Sequence, residues 1–376
     1  MASLQLASAN IDEVIAVYNL ENIANGILTK QCPYGSGHIN DTFLLCFETP
    51  ANDQKQYILQ RINHTIFHNP PQLMENIVNI TRFLRNKITA QGGEPDRETL
   101  NVIKTKHGTN WYQDSDNNYW RIYQFIENSL CLEQVKSEKD FYDSAVAFGN
   151  FQKMLADFPT ELLHETIPNF HHTPSRFQAF QKALNEGIPT RIALAQNEIA
   201  FALERECETT ILTNLLKEGQ LPLRVTHNDT KLNNILFDAD TKKALCIIDL
   251  DTVMPGLSLY DFGDSIRFGA NTAAEDETDL SKVSLDLSLF EAFTKGYLEG
   301  CGGSLTDKEI AMLPMGAKLM TYECGIRFLS DFLLGDTYFK IHRENQNLDR
   351  AKTQFRLVAD MEAKWDTMAE IVRKYQ

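Results

Sequence analysis

Three oxygen-bearing side chains sit on two neighbouring stretches of this sequence. Val225-Thr226-His227-Asn228-Asp229-Thr230-Lys231-Leu232-Asn233-Asn234-Ile235-Leu236-Phe237 is a polar knot between two apolar, β-like runs, and it places His227, Asp229 and Asn234 on one short loop. Twenty residues after Asp229, the apolar run Ala244-Leu245-Cys246-Ile247-Ile248 ends abruptly in Asp249-Leu250-Asp251. The turn-forming Asp238-Ala239-Asp240-Thr241 can fold one run back beside the other, which brings Asp249 near Asn234 and Asp229. Phosphoryl transfer needs such a set. One aspartate must accept the hydroxyl proton or orient the attacking oxygen, and a side-chain oxygen with a second aspartate must hold Mg²⁺ against the nucleotide phosphates. Mg²⁺ prefers hard oxygen ligands, and Asn234 and Asp249 supply them. Either half of the pattern alone also fits a capped loop with turn residues; both halves at this spacing favour catalysis.

The elements that must position these groups change in period along the chain. From about residue 27 to 126, short β-like runs dominate: 41–47, 56–62, 100–106, 110–113 and 119–126. Asp114-Ser115-Asp116-Asn117-Asn118 has the composition of a hairpin loop between the last two. One helix interrupts them: Leu73, Ile77, Ile80, Leu84 and Ile88 recur at spacings of four and three, behind Pro70-Pro71. After Glu127 the pattern is mainly helical, over 138–156, 174–186, 190–217, 279–299, 307–334 and 348–374, with a compact β-containing stretch at 222–252. The sequence therefore predicts an α+β architecture with two parts, residues 1–126 (small, β-rich, one helix) and 127–376 (larger, mainly helical). A cleft between two such parts is a favoured place for a ligand.

Composition narrows the function further. The 376 residues are 43% hydrophobic and 23% charged, which excludes a disordered or fibrous chain. Thirty-six Lys and Arg against 51 Asp and Glu leave a net charge of −15, which argues against nucleic acid as a partner. It also means that any phosphate site needs local cations or aimed N–H groups. No apolar run approaches the roughly 20 residues of a membrane span. The first basic residue is Lys30, so a charged signal-peptide start is not expected. Seven scattered cysteines without a CxxC suggest neither disulfides nor zinc, and read as seven small buried hydrophobes in a reducing cytoplasm. His171-His172 reads as a surface pair rather than a metal site.

The set His227-Asn228-Asp229, Asn234 five residues after that aspartate, and Ile248-Asp249 resembles the catalytic and metal-binding motifs of the aminoglycoside phosphotransferase and choline kinase-like family. The likeness runs from about Gly35 to Asp331. It implies a protein-kinase-like two-lobed fold, ATP as co-substrate, Asp229 as the catalytic base, and Mg²⁺ on Asn234 and Asp249. It also implies that His227 supports the loop, and that Asp261, in Leu259-Tyr260-Asp261-Phe262-Gly263-Asp264, ties the catalytic loop to a following helix. Within the family, Tyr34-Gly35-Ser36-Gly37-His38-Ile39-Asn40-Asp41-Thr42, Tyr57-Ile58-Leu59-Gln60-Arg61-Ile62-Asn63 and Asp249-Leu250-Asp251-Thr252-Val253-Met254-Pro255-Gly256 are similar to the sugar 1-kinases that act on N-acetylhexosamines. That likeness implies sugar contacts from Asp229 and from Arg327 and Tyr338 in the C-terminal helical region.

Other nucleotide-side residues follow less directly. Gly35-Ser36-Gly37 between β-like runs suits a loop that covers phosphates with backbone N–H groups, and equally a hairpin turn. The family pattern expects a strand lysine on the α and β phosphates, where this chain has Gln60-Arg61. Strand alternation lets Gln60 or Arg61, but not both, face the cleft; Arg61 as the nucleotide-binding replacement would bring a planar fork, with Glu75 as its candidate partner. In a kinase-like fold Gln124 and Ile126 lie where the two parts join and offer backbone groups to adenine. Asp251 could assist with the metal, but reads rather as a residue that supports the ligands or shapes the turn. The rival readings are a family member acting on an aminoglycoside, choline or homoserine, and a nucleotide-binding module without catalysis.

Overall fold

A computed structural model describes residues 11–35 and 39–376. Helix at 11–18 and Leu20–Ala24 leads into an antiparallel sheet. Its strands are β1 (Ile27–Pro33), β2 (Asp41–Glu48), β3 (Gln54–Ile62), β4 (Val102–Ile103), β5 (Tyr112–Gln113) and β6 (Tyr119–Gln124). They lie in the order β1-β2-β3-β6-β4, with β5 also on β6. Side-chain alternation gives the sheet two working faces. Tyr57 and Leu59 of β3, opposite Gln124 and Ile122 of β6, share one face with Trp120, and this face packs on Ile11, Val14 and Tyr18 of the leading helix. The other face carries Ile58 and Ile62 with Tyr123 and turns toward α1 (Pro70–Ala90) and the rest of the chain.

The apolar stripe of α1 is buried as its spacing demands: Leu73, Ile77, Ile80, Leu84 and Ile88 all point inward. Each such side chain contributes roughly 1.5–3 kcal/mol. Asn69 caps the helix by accepting the Gln72 N–H at 3.2 Å, and the prolines occupy the first turn, where a missing N–H costs nothing.

Beyond the first sheet, β7 (Ser129–Cys131), β8 (Arg224–Thr226), β9 (Ile235–Asp238), β10 (Ala244–Ile247) and β11 (Met254–Gly256) form two small sheets, β10-β9-β7 and β11-β8. The remainder is helical. Its longer helices are α2 (Glu138–Met154), α3 (Thr173–Glu186), α4 (Ser258–Gly269), α5 (Leu287–Cys301), α6 (Leu313–Leu334), α7 (Gln346–Ala363) and α8 (Trp365–Lys374). Helices α2 and α5 cross through glycine: a Cβ on Gly149 would stand 2.3 Å from the Tyr297 carbonyl oxygen. Gln152 of α2 lies at the end of β8, its amide donating to the Val225 carbonyl at 3.0 Å.

Several long helical patterns are broken in the fold. The stretch 190–217 divides into Pro189–Leu194, Gln196–Glu204 and Ile211–Lys217. Between the last two, Arg205 lies over Phe201 (3.5 Å to the ring centroid) and pairs with Glu362 at 2.8 Å, and Glu206–Glu208 tightens into a 3₁₀ turn. The 307–334 stretch breaks at Met312, just before the helix that carries Pro314 in its first turn. The expected strand 100–106 pairs only at Val102–Ile103. The expectation of seven buried cysteines also needs correction. All seven are free, but Cys131 and Cys207 are exposed and only Cys46, Cys246 and Cys301 are fully buried. Among the described residues no helix is long and apolar enough to cross a membrane.

Candidate active site

The loop after β8 is held from below by one carboxylate. Asp261, buried in the first turn of α4, accepts the N–H of His227 (3.0 Å), the N–H of Asn228 (2.8 Å) and the side-chain amide of Gln152 (2.8 Å). Its carbonyl oxygen accepts the Thr230 hydroxyl at 2.6 Å. Burial pushes the Asp261 carboxyl up, against the pull of His227 and of these donors. Asn228 adopts φ 65, a left-handed conformation that asparagine tolerates, and its side-chain amide donates to the Thr252 carbonyl at 2.8 Å. The His227 ring is fully buried. Its Nε2 lies 2.9 Å from the Ile248 carbonyl oxygen and its Nδ1 3.3 Å from the Asp229 N–H, so Nε2 carries the proton and Nδ1 accepts. His227 thus braces the loop against the strand that leads to Asp249.

Asp229 itself is half-buried, its carboxylate held by Asn234 and Lys231. Asn234 closes the loop: its Nδ2 donates to the Asp229 carbonyl (2.7 Å) and to Asp229 Oδ2 (3.0 Å). With the amide hydrogens used on Asp229, Oδ1 of Asn234 is the atom left to meet a cation. The Ile248 N–H donates to the Asn234 carbonyl oxygen at 2.9 Å, extending the β9–β10 pairing. That bond sets Asp249, the next residue, beside Asn234. Asp249 stands at φ 57, ψ 57, and its side chain meets solvent although protein surrounds it on most sides. This crowding, with the carboxylates of Asp251 and Asp229, pushes its carboxyl up to about 7. A divalent cation would relieve that repulsion, and the donors are hard oxygens, so the residues fit Mg²⁺. Among the described residues no group of three His, Cys, Asp or Glu side chains converges on a metal-sized site. A mixed amide–carboxylate pair leaves an ion coordination positions for phosphate oxygens.

Lys231, which the sequence reading passed over, lies 2.5 Å from Asp229 Oδ1. Burial works against its charge, but Asp229 and Asp264 prevail and raise its pKa. Its place two residues after the candidate base was the available signal.

On the nucleotide side the expectations divide. Gly35 is exposed at φ +78; Ser36 and Gly37 lie outside the described residues. The neighbouring Tyr34 ring meets Phe125 edge-on at 5.9 Å, so the start of the glycine segment and the strand-to-lobe joint share one rim. At that joint the Gln124 N–H donates to the Asn101 carbonyl (3.0 Å), and Ile126 is buried with its carbonyl accepting the Ser129 hydroxyl (2.6 Å). Arg61 does not replace the strand lysine. Alternation puts it with Leu59 on the face covered by the leading helix, where its Nε donates to Asp41 at 2.8 Å and its side chain stays 43% exposed. Gln60 takes the inward position instead. Glu75 pairs with His164 at 2.9 Å, not with Arg61.

The residues expected to meet the acceptor lie around α3 and α6. Arg327 of α6 lies between two rings, 5.6 Å from the Phe170 centroid and 5.6 Å from that of Phe339. Arg176 of α3 donates twice to the Phe170 carbonyl (3.0 and 2.8 Å), and burial followed by the neighbouring Arg327 charge lowers its pKa. Among the described residues neither guanidinium has a carboxylate within ion-pairing distance. Tyr338 is 62% exposed and packs edge-on to Phe339. Asp331 fixes its loop by accepting the N–H groups of Thr337, Tyr338 and Phe339 at 2.8–2.9 Å. This cluster is joined to the catalytic loop by His171, whose Nε2 is 3.3 Å from the Asn228 carbonyl oxygen and whose Nδ1 is 2.9 Å from Glu323. His171 is therefore buried and bridging, not a surface residue, and His172 caps α3.

The model of the phosphotransferase enzyme family matches residues 30–287. The fold is similar to the crystal structure of an aminoglycoside phosphotransferase from Alicyclobacillus acidocaldarius, at TM-score 0.59 and 10% identity, over 94% of this chain and 95% of that one. It is also similar to amicoumacin kinase in complex with AMP-PNP, Ca²⁺ and Ami (TM-score 0.54, 13% identity, 94% and 96% covered). Choline kinase from Cryptosporidium parvum is similar to the same degree (TM-score 0.54, 13% identity, 92% of each chain). These likenesses show the fold, which is kinase-like, with an antiparallel-sheet lobe and a larger helical lobe. Because the family match spans more than half of a chain that folds in this way, the protein belongs to the phosphotransferase enzyme family.

Proposed function

We propose that this chain transfers the γ-phosphoryl group of ATP, with Mg²⁺, to the anomeric hydroxyl of an N-acetylhexosamine, giving the sugar 1-phosphate. The observation that carries the reading is the meeting of Asp229, Asn234 and Asp249 across one backbone hydrogen bond, from Ile248 to Asn234. Asp229 accepts a hydrogen bond from the 1-hydroxyl and aligns its oxygen with the γ-phosphorus. The new O–P bond forms as the bond to ADP breaks, ADP leaves with that electron pair, and the hydroxyl proton passes to Asp229 late in the transfer. Mg²⁺ on Asn234 and Asp249 would offset the charge that builds on the phosphate oxygens. Lys231 balances Asp229 and faces the same charge. Most of the rate gain comes from positioning and electrostatics, since the transition state is loose. Gly35, Ser36 and Gly37 cover the phosphates in this reading, and Gln124 and Ile126 border adenine.

The acceptor follows from Arg176, Arg327 and Tyr338. Among the described residues Arg176 and Arg327 form no ion pair, and the nearby Glu323 carboxylate is held by His171 and Thr173, so the two guanidiniums disfavour an aminoglycoside or choline, both cationic. They suit a neutral acceptor rich in hydroxyl and carbonyl oxygens, and the three sugar-kinase-like stretches point to an N-acetylhexosamine. Homoserine, whose carboxylate also matches a guanidinium, is the second reading. A charge-assisted hydrogen bond contributes about 1.5–3 kcal/mol. Arg327→Ala should therefore raise the acceptor KM by about 10- to 100-fold and leave the KM for ATP within a factor of two. Steady-state kinetics on N-acetylglucosamine, N-acetylgalactosamine, homoserine, choline and kanamycin tests this. Turnover confined to homoserine or a cationic acceptor overturns the sugar reading.

A further inference from the structure

The nucleotide lobe lacks a lysine on the inward face of β3, yet a cation does reach that place from the neighbouring strand. Gln60 stands directly opposite Arg121 of β6. Its Oε1 accepts the Arg121 Nε–H at 2.9 Å, and its Nε2 donates to Thr42 at 3.1 Å. Gln60 thus aims the guanidinium. Arg121 Nη1 lies 2.5 Å from Asp251 Oδ1, with the two side chains only 1% and 4% exposed. The other Asp251 oxygen accepts the Asn40 side-chain amide at 2.7 Å, and Asn40 in turn accepts the Asn63 N–H. Both grips on Asp251 come from the nucleotide lobe, while Asp251 belongs to the 3₁₀ turn directly after Asp249.

A pair this deeply buried is weak evidence for a purely stabilising role, because well-packed apolar side chains of similar size usually serve stability equally well. It sits instead where it controls a backbone. Asp249 is left-handed, a conformation that persists only when its surroundings over-determine it. Leu250 and Val253 anchor the turn in the core, and Asp251 is held from across the cleft. We infer that Arg121 is a positioning residue: by clamping Asp251 it joins the two lobes and holds the Asp249 carboxylate in its metal-binding orientation. This rests on the nucleotide-kinase reading of the cleft.

The test replaces the pair by apolar residues of similar size, Arg121→Met with Asp251→Leu, so that no lone charge is buried. Arg121→Lys, which keeps the charge but loses the fork to Gln60, is made beside it. Mn²⁺ binding in the presence of ADP is followed by electron paramagnetic resonance, ADP binding in EDTA by calorimetry, and unfolding by urea. The double variant should fold with a urea midpoint close to wild type. It should bind Mn²⁺·ADP at least tenfold more weakly and ADP alone less than threefold more weakly. Arg121→Lys should fall between the double variant and wild type. Mn²⁺·ADP affinity within twofold of wild type in the double variant overturns the proposal and leaves the pair structural. Failure of the wild type itself to bind Mn²⁺·ADP overturns the nucleotide reading and the proposal with it.

Discussion

Asp229→Asn is expected to lower kcat by about 10³-fold while leaving the KM for Mg·ATP within a factor of three. A positioned general base contributes roughly 10²–10⁴ in rate, or about 3–5 kcal/mol of barrier. The substitution keeps the volume and keeps an oxygen near Asn234, but removes the charge that Lys231 and the acceptor hydroxyl both read. The nucleotide contacts proposed here lie elsewhere, so ADP binding should persist. Sugar-dependent ADP release, with ADP affinity measured alongside, separates the two effects. More than a tenth of wild-type turnover in this variant would remove Asp229 from the role given to it.

Asp261→Ala should have the largest effect on stability, about 3–6 kcal/mol. It leaves the buried N–H groups of His227 and Asn228 without an acceptor, and one of the two Gln152 amide hydrogens, the other staying on the Val225 carbonyl. Each unsatisfied donor costs about 1–3 kcal/mol, and some relaxation of the loop is expected. Against a total stability of roughly 5–15 kcal/mol, such a loss unfolds much of the protein at moderate temperature. Urea titration of the variant checks it, and a loss below about 1 kcal/mol would mean that the catalytic loop is held by something other than this carboxylate. Asp261 acts through His227 and Asn228, so any surviving folded fraction should also be impaired in kcat.

These two aspartates were legible in the sequence for different reasons. The knot around Asp229 stands out because polar residues interrupt two apolar runs, and local chain geometry forces a loop there. Asp261 has no such contrast and is visible only through resemblance. The α1 stripe is readable because one helix face must be buried. Arg121 was not readable: a charged residue inside Trp120-Arg121-Ile122-Tyr123 looks like an ordinary core strand, and its partner Asp251 lies 130 positions later. Asp251 in turn looked like a turn residue, which it is, but its side chain is gripped from the other lobe. Arg61 was misassigned because alternation permits either of two adjacent residues to face inward, and only the placement of the leading helix decides which. Arg176 and His171 were missed or misread because their roles depend on α6 meeting α3, a contact between segments about 150 residues apart.

Phosphorus NMR of the reaction mixture tests the central claim most directly. The protein is incubated with ATP, Mg²⁺ and a mixture of N-acetylhexosamines, and the product is read by phosphorus–proton coupling. The account predicts loss of the ATP γ-signal, growth of ADP, and a new phosphomonoester whose phosphorus couples to the anomeric proton. A phosphate coupled to any other sugar proton, or an ATP γ-signal unchanged with every sugar offered, would contradict it.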